Sequence, residues 1–137
     1  MPTRVKPASA LIYAMITMSA VDRSMSDVEM ARIGSIVSSL PAFAGHSGDW
    51  LTDEAQACGK LLAKDGGLDR VLDLISDALP ENLRETAYVL CAEIAASDLE
   101  IKAEEVRFLE LLADKLSLDR LTCAALERAV RARHQKV

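Results

Sequence analysis

Aromatic side chains are scarce: Phe, Trp and Tyr make up 4% of the 137 residues, although half of the chain is hydrophobic. The apolar content lies instead in Ala, Leu, Ile, Met and Val, which suits close helix packing and disfavours a β-sandwich. Cysteine is sparse and odd in number, and Cys58, Cys91 and Cys123 show no CxxC spacing. That excludes a disulfide framework or a zinc motif and reads as three small core residues of a reduced, cytoplasmic protein. The two histidines, His46 and His134, are isolated from one another and from any HExxH pattern, and each reads as a solvated or loop side chain. There is no GxSxG, P-loop or GxGxxG, and Gly45-His46-Ser47-Gly48 resembles a turn rather than a phosphate cradle. No apolar run is long enough to span a bilayer. The longest, Ala8 to Val21, covers 14 residues, whereas a spanning helix needs about 20.

A surplus of positive charge is missing as well. The formal net charge is −5, and residues 51–100 carry eleven Asp or Glu against four Lys or Arg. A nucleic-acid binder requires the opposite balance. The sign reverses only at the C-terminus, with Arg128, Arg131, Arg133 and Lys136, where cations complement the carbonyl end of a helix.

What is present is helical periodicity from end to end. Leu11, Ile12, Met15, Ile16 and Met18 define a first helix ending near Val21, with Pro7 in its first turn. Ser26-Asp27-Val28-Glu29 is a capping box that opens a second helix through Met30, Ile33, Ile36, Val37 and Leu40, ended by Pro41. After a loop, Asp49 or Thr52 starts a helix running to about Lys64 with Leu51, Ala55, Cys58, Leu61 and Leu62 inside, and Gly66-Gly67 stop it. A short helix follows over Leu68 to Leu79. Its outer face carries Asp69, Asp73 and Asp77 at a spacing of four, a repulsive arrangement that is either solvated or used, with the solvated reading preferred. The next two helices are read through Leu83, Ala87, Leu90, Cys91 and Ile94, and through Val106, Leu109, Leu112, Ala113 and Leu116. A last helix runs through Leu121, Ala125, Leu126 and Ala129, and Trp50 serves as a core or helix-start anchor. The length suits one domain over residues 1–137.

One stretch occurs twice. Ser19-Ala20-Val21-Asp22-Arg23-Ser24-Met25-Ser26-Asp27-Val28-Glu29 aligns without a gap on Ala95-Ala96-Ser97-Asp98-Leu99-Glu100-Ile101-Lys102-Ala103-Glu104-Glu105. Asp22 thus matches Asp98, and Glu29 matches Glu105. The register extends back over the preceding helix, from Leu11 onto Ala87, so the basic-then-apolar N-terminus, which imitates a secretory leader, is assigned to a helix of the fold. The expected architecture is an all-α compact helical bundle with an internal duplication of a helical hairpin, in copies over about 8–40 and 84–116.

The paired carboxylates admit two readings. Each Asp accepts backbone N–H bonds at its turn while each Glu caps the next helix, or the four together offer oxygen ligands to a hard cation such as Ca²⁺ or Mg²⁺. The spacing copies the back half of an EF-hand loop, but its first and third ligand positions fall on Met18 and Ala20, and on Ile94 and Ala96, none of which has a side-chain oxygen. A cation site therefore draws on further carboxylates, with Asp27, Glu100 and Glu104 nearest in sequence.

The doubled Ala-x-Asp-x-x-[Ile/Met]-x-x-x-Glu in paired amphipathic helices resembles the TerB-like family of bacterial tellurite resistance, which is related to the N-terminal region of a membrane co-chaperone. The family usually has Gly after each Asp, and here Arg23 and Leu99 stand there. The resemblance implies an all-α duplicated fold, an acidic surface binding metal through Asp22, Glu29, Asp98 and Glu105, and a part in stress-response complexes, some membrane-associated. The expected function is accordingly that of a non-enzymatic acidic module that binds protein partners, without nucleic acid or membrane insertion. Two alternatives stand beside it: a purely structural interaction domain whose carboxylates only cap helices, and a metal-dependent hydrolase, for which the chain offers carboxylates but no nucleophile.

Overall fold

The computed structural model describes residues 5–20, 26–46, 48–96 and 103–137. These form seven α-helices, and among the described residues there is no strand. They are α1 (Pro7–Ala20), α2 (Asp27–Ser39), α3 (Gly48–Leu62), α4 (Gly67–Ala78), α5 (Glu81–Ala96), α6 (Ala103–Lys115) and α7 (Arg120–Arg133), with a 3₁₀ turn over Pro41–Phe43 between α2 and α3.

Helix α1 is the axis. Every residue from Ser9 to Ser19 is buried, because α5, α3, α4 and α6 all pack on it. The periodicity predicts one broad apolar face, whereas the helix is buried all round. The small or weakly polar residues Ser9, Ala10, Ala14, Thr17 and Ser19 occupy the sides that a surface helix gives to charge. Helix α5 is the second inner element, burying Ala87, Tyr88, Leu90, Cys91, Ala92, Ile94 and Ala95. Around this pair, α3 and α4 lie against α1 and each other, α7 and α2 lie against α5, and α6 touches α5, α1 and α4.

Local chemistry sets the ends of these helices. The capping box at α2 forms as expected: the Ser26 hydroxyl accepts from the Glu29 amide at 3.2 Å, and the Glu29 carboxylate accepts from the Ser26 amide at 3.0 Å. Gly66 takes the left-handed conformation (φ +69°) that joins α3 to α4, so the glycine pair turns the chain and Gly67 already opens the next helix. At the end of α6, Ser117 adopts φ +57°. The Leu118 amide then reaches the Ala113 carbonyl at 2.9 Å and the Ser117 amide reaches Asp114 at 3.2 Å, the double bond pattern of a Schellman stop. Asp119 caps α7 by accepting from the Thr122 amide at 2.6 Å.

Two inner faces differ from the sequence expectation. On α6, Val106 is 45% exposed, and the inward residues are Glu105, Phe108, Leu109 and Leu112. On α7, Leu121 is 82% exposed, Ala125 and Ala129 are also outside, and Cys123 and Val130 are buried with Leu126 partly so. The cause is tertiary. Tyr88 of α5 donates to Glu127 at 2.9 Å, and Glu93 of α5 accepts from Arg133 at 2.6 Å, which turns the 123/126/127/130 edge of α7 inward. An alanine-rich helix has no strong apolar preference of its own to resist that rotation.

Candidate functional site around the doubled motif

The C-terminal end of α1 and the N-terminal end of α6 each flank one copy of the Asp/Glu motif, and the structure brings them to one cleft. Thr17 and Ala20 line it from α1; Ala103, Glu104, Arg107, Phe108 and Leu111 line it from α6. Leu62 at the end of α3 and Leu68 at the start of α4 also line it, around the Gly66–Gly67 turn. The cleft measures about 590 Å³, inside the 300–1,000 Å³ range of ordinary ligand pockets. Among the described residues its floor is apolar and its rim carries the Glu104 carboxylate and the Arg107 guanidinium, the latter 3.7 Å from Glu110.

Of the four motif carboxylates, Asp22 and Asp98 lie outside the described residues, as does Glu100. Glu29 is partly buried in the first turn of α2 with one oxygen committed to the Ser26 amide. Glu105, in the matching first turn of α6, is a different case, being only 4% exposed among the inward residues of its helix. A carboxylate at a helix N-terminus is favoured by the dipole, but removing it from water costs several kcal/mol unless partners compensate. Asp27 and Glu104 sit on exposed positions beside them. Among the described residues no three His, Cys, Asp or Glu converge as a ready-made metal cluster.

The remaining chemistry-bearing residues are mostly engaged in holding helices together. Asp73 pairs with Lys115 of α6, and the hydrogen bond to Asp73, with the nearby charges of Asp77 and Asp69, raises the Lys115 pKa. The acidic stripe is therefore partly used as a helix-to-helix tie rather than wholly solvated. Arg84 of α5 donates to the Leu116 carbonyl at 3.0 Å and to the Ser76 carbonyl at 3.5 Å, and the Ser76 hydroxyl donates to the Lys115 carbonyl at 3.3 Å, so the ends of α4 and α6 are tied together.

His134 lies in the turn that follows α7. It is partly buried and bonded to Glu93 at 2.7 Å, beside Arg133. Burial acts to raise the Glu93 pKa, but the bonds from Arg133 and His134 outweigh it and hold the carboxyl below its ordinary value. His46 sits in the loop before α3 as expected, with its ring stacked on Trp50 at 3.8 Å, and Trp50 also meets Phe43 at 6.4 Å. Inside, Ser9 donates to Glu54 at 2.9 Å, and Thr17 donates to the Tyr13 carbonyl at 2.7 Å next to the Cys58 thiol. Sequence spacing does not reveal the bonds from Ser9 to Glu54, from Tyr88 to Glu127, and from Arg133 and His134 to Glu93, whose partners are 39 to 45 residues apart.

All three cysteines are buried free thiols, as read from the sequence. Burial pushes Cys58 up to about 11 against the partial opposition of its bond with Thr17, raises Cys91 further, and raises Cys123. At neutral pH all three are protonated, and thus poor nucleophiles and poor soft-metal ligands.

The profile of the family described as tellurite resistance protein TerB matches residues 8–131 of the chain, from α1 to the last turn of α7. The chain belongs to the TerB family. Its match includes both copies of the motif and all seven helices. Neither a curated protein nor a solved structure gives a significant match. Among the described residues no helix is long and apolar enough to cross a membrane.

Proposed function

We propose that this chain is a non-enzymatic, cytoplasmic TerB-type module of a single domain that acts by binding protein partners in a stress or tellurite-resistance setting. In this reading it has two equivalent helical hairpins, and its doubled motif holds a divalent cation, Ca²⁺ or Mg²⁺, through Asp22, Glu29, Asp98 and Glu105. The observation that carries the cation clause is the doubled Asp/Glu pattern within the TerB match, which offers oxygen ligands of the kind a hard cation prefers. One helix end beside each copy, the last turn of α1 and the first turn of α6, lines the shared cleft. A cation would use Glu105 and the second oxygen of Glu29, while the first stays on the Ser26 amide.

A second reading has its own observation. The capping box at Ser26 and Glu29 is complete without any ion, so the first copy can be purely structural. NMR titration of the full chain with Ca²⁺ and Mg²⁺ separates the two. Cation binding moves the amides of Glu29 and Glu105 together, and Asp98→Asn removes the shift. Unmoved amides at millimolar metal would eliminate the cation clause and leave helix capping as the role of the motif.

A further inference from the structure

Two surfaces remain unaccounted for, and they complement one another. The first is the apolar cleft with its acidic border. Asp69, Asp73 and Asp77 run along α4 from the cleft residue Leu68, and all three are close enough to Lys115 on α6 to raise its pKa. Helices α4 and α6 together carry seven carboxylates and three cations. Two of those cations, Arg107 and Lys115, are already beside Glu110 and Asp73. An occupant should therefore present an apolar anchor followed by positive charge.

The second surface is the outer face of α7. That helix carries four arginines and a single acid, Glu127, which is bonded inward to Tyr88. Arg133 is tied to Glu93, whereas Arg120, Arg128 and Arg131 are exposed. Leu121 stands on the same outward side at 82% exposure, the most exposed large hydrophobic side chain within any helix. Helical rise places Arg128 about 10 Å beyond Leu121, and places Asp73 and Asp77 about 8 and 14 Å beyond Leu68. The anchor-to-charge spans along the two helix axes are thus similar in length.

We propose that the occupant of the α4–α6 cleft is α7 of a second copy of this chain, with Leu121 in the cleft and Arg128 and Arg131 against the aspartates of α4. The contact joins two different patches, so it is head-to-tail and leaves a free cleft and a free α7 at the ends of each pair. It uses neither a cation nor the motif carboxylates. It names one partner, the chain itself, within the reading of a protein-binding module, and it is tested on purified protein, where the failure of other partners to bind has no effect.

Sedimentation equilibrium of the full chain at about 0.05 M and about 0.5 M salt is the test, since the screening length falls about threefold between them. Average mass should rise with concentration at low salt and return to the monomer at high salt. Arg128→Glu/Arg131→Glu should be monomeric, as should Asp69→Lys/Asp77→Lys. An equimolar mixture of the two should associate again, which also shows that both variants are folded. Leu121→Gln should weaken association about tenfold or more. A wild-type chain that stays monomeric at low salt overturns the proposal, and so does association that survives the Arg128/Arg131 reversal. A monomer that co-sediments with phosphatidylserine vesicles would assign α7 to an anionic membrane instead.

Discussion

Replacing Gly67 by Ala should be among the most damaging single-methyl additions to this protein. Gly67 is buried at the start of α4, and its φ does not require glycine; the constraint is space. A Cβ at this position would stand 2.8 Å from the Leu62 carbonyl oxygen and 2.9 Å from its carbon, with the Leu61 carbonyl oxygen closer still. These are backbone atoms in the last turn of α3, so no side chain can rotate away. The turn must open, disturbing the Lys64 amide bond to the Leu61 carbonyl and the Gly67 amide bond to the Lys64 carbonyl. Overpacking of this kind costs about 1–3 kcal/mol or more, and about 3 kcal/mol is a fall of roughly 10 °C in melting temperature for a chain of this length. The neighbouring Gly66 supplies the control. Its left-handed φ of +69° faces open space, so Gly66→Ala should cost only about 1–2 kcal/mol. Gly59, exposed within α3 with nothing within 4 Å, should gain about 0.5–1 kcal/mol on the same change. Thermal unfolding followed by circular dichroism should rank the three as Gly59→Ala above wild type, Gly66→Ala below it and Gly67→Ala lowest. Equal melting temperatures for Gly66→Ala and Gly67→Ala would refute the close-approach argument. Since Leu62 and Leu68 line the cleft on either side of this turn, Gly67→Ala should also weaken whatever the cleft holds.

Three further outcomes are expected. Arg84→Gln should destabilise the fold by about 1–3 kcal/mol in urea unfolding, because the Leu116 and Ser76 carbonyls lose a charged donor. Acid unfolding should involve Glu93: its folded pKa lies below the ordinary 4.5, so its contribution is present above that value and lost as pH falls through the folded one. Glu93→Gln should therefore flatten the acid limb of a stability–pH curve. Alkali acts with the opposite sign on Cys58, whose pKa rises from 9.0 to about 11; its stabilisation is complete below 9 and lost as pH rises through 11. A Cys58→Ser or Cys58→Ala variant should lose less stability than wild type across that interval, and the native thiol should resist alkylation at pH 8.

The capping box of Ser26 and Glu29, the glycine turn at residues 66–67 and the succession of amphipathic segments are local. Nearest-neighbour backbone bonding and apolar periodicity specify them, and they are where the sequence states them. The all-α class follows from the same local preferences, and the membership in the TerB family agrees with the doubled motif. Burial on every side of α1 was not local information, because small side chains such as Ala14 and Ser19 are inside only when four other helices close around them. The inward edge of α7 depended on Tyr88 and Glu93, some 40 residues away, and so Leu121 changed from a core residue to an exposed one. The repeat of Asp and Glu was equally visible in both copies as a pattern of residue types. Only packing separated the partners of that pattern, leaving Glu29 in a solvent-facing helix cap and drawing Glu105 into the interior, because α2 rests on the edge of α5 while α6 is held against α5, α1 and α4 at once.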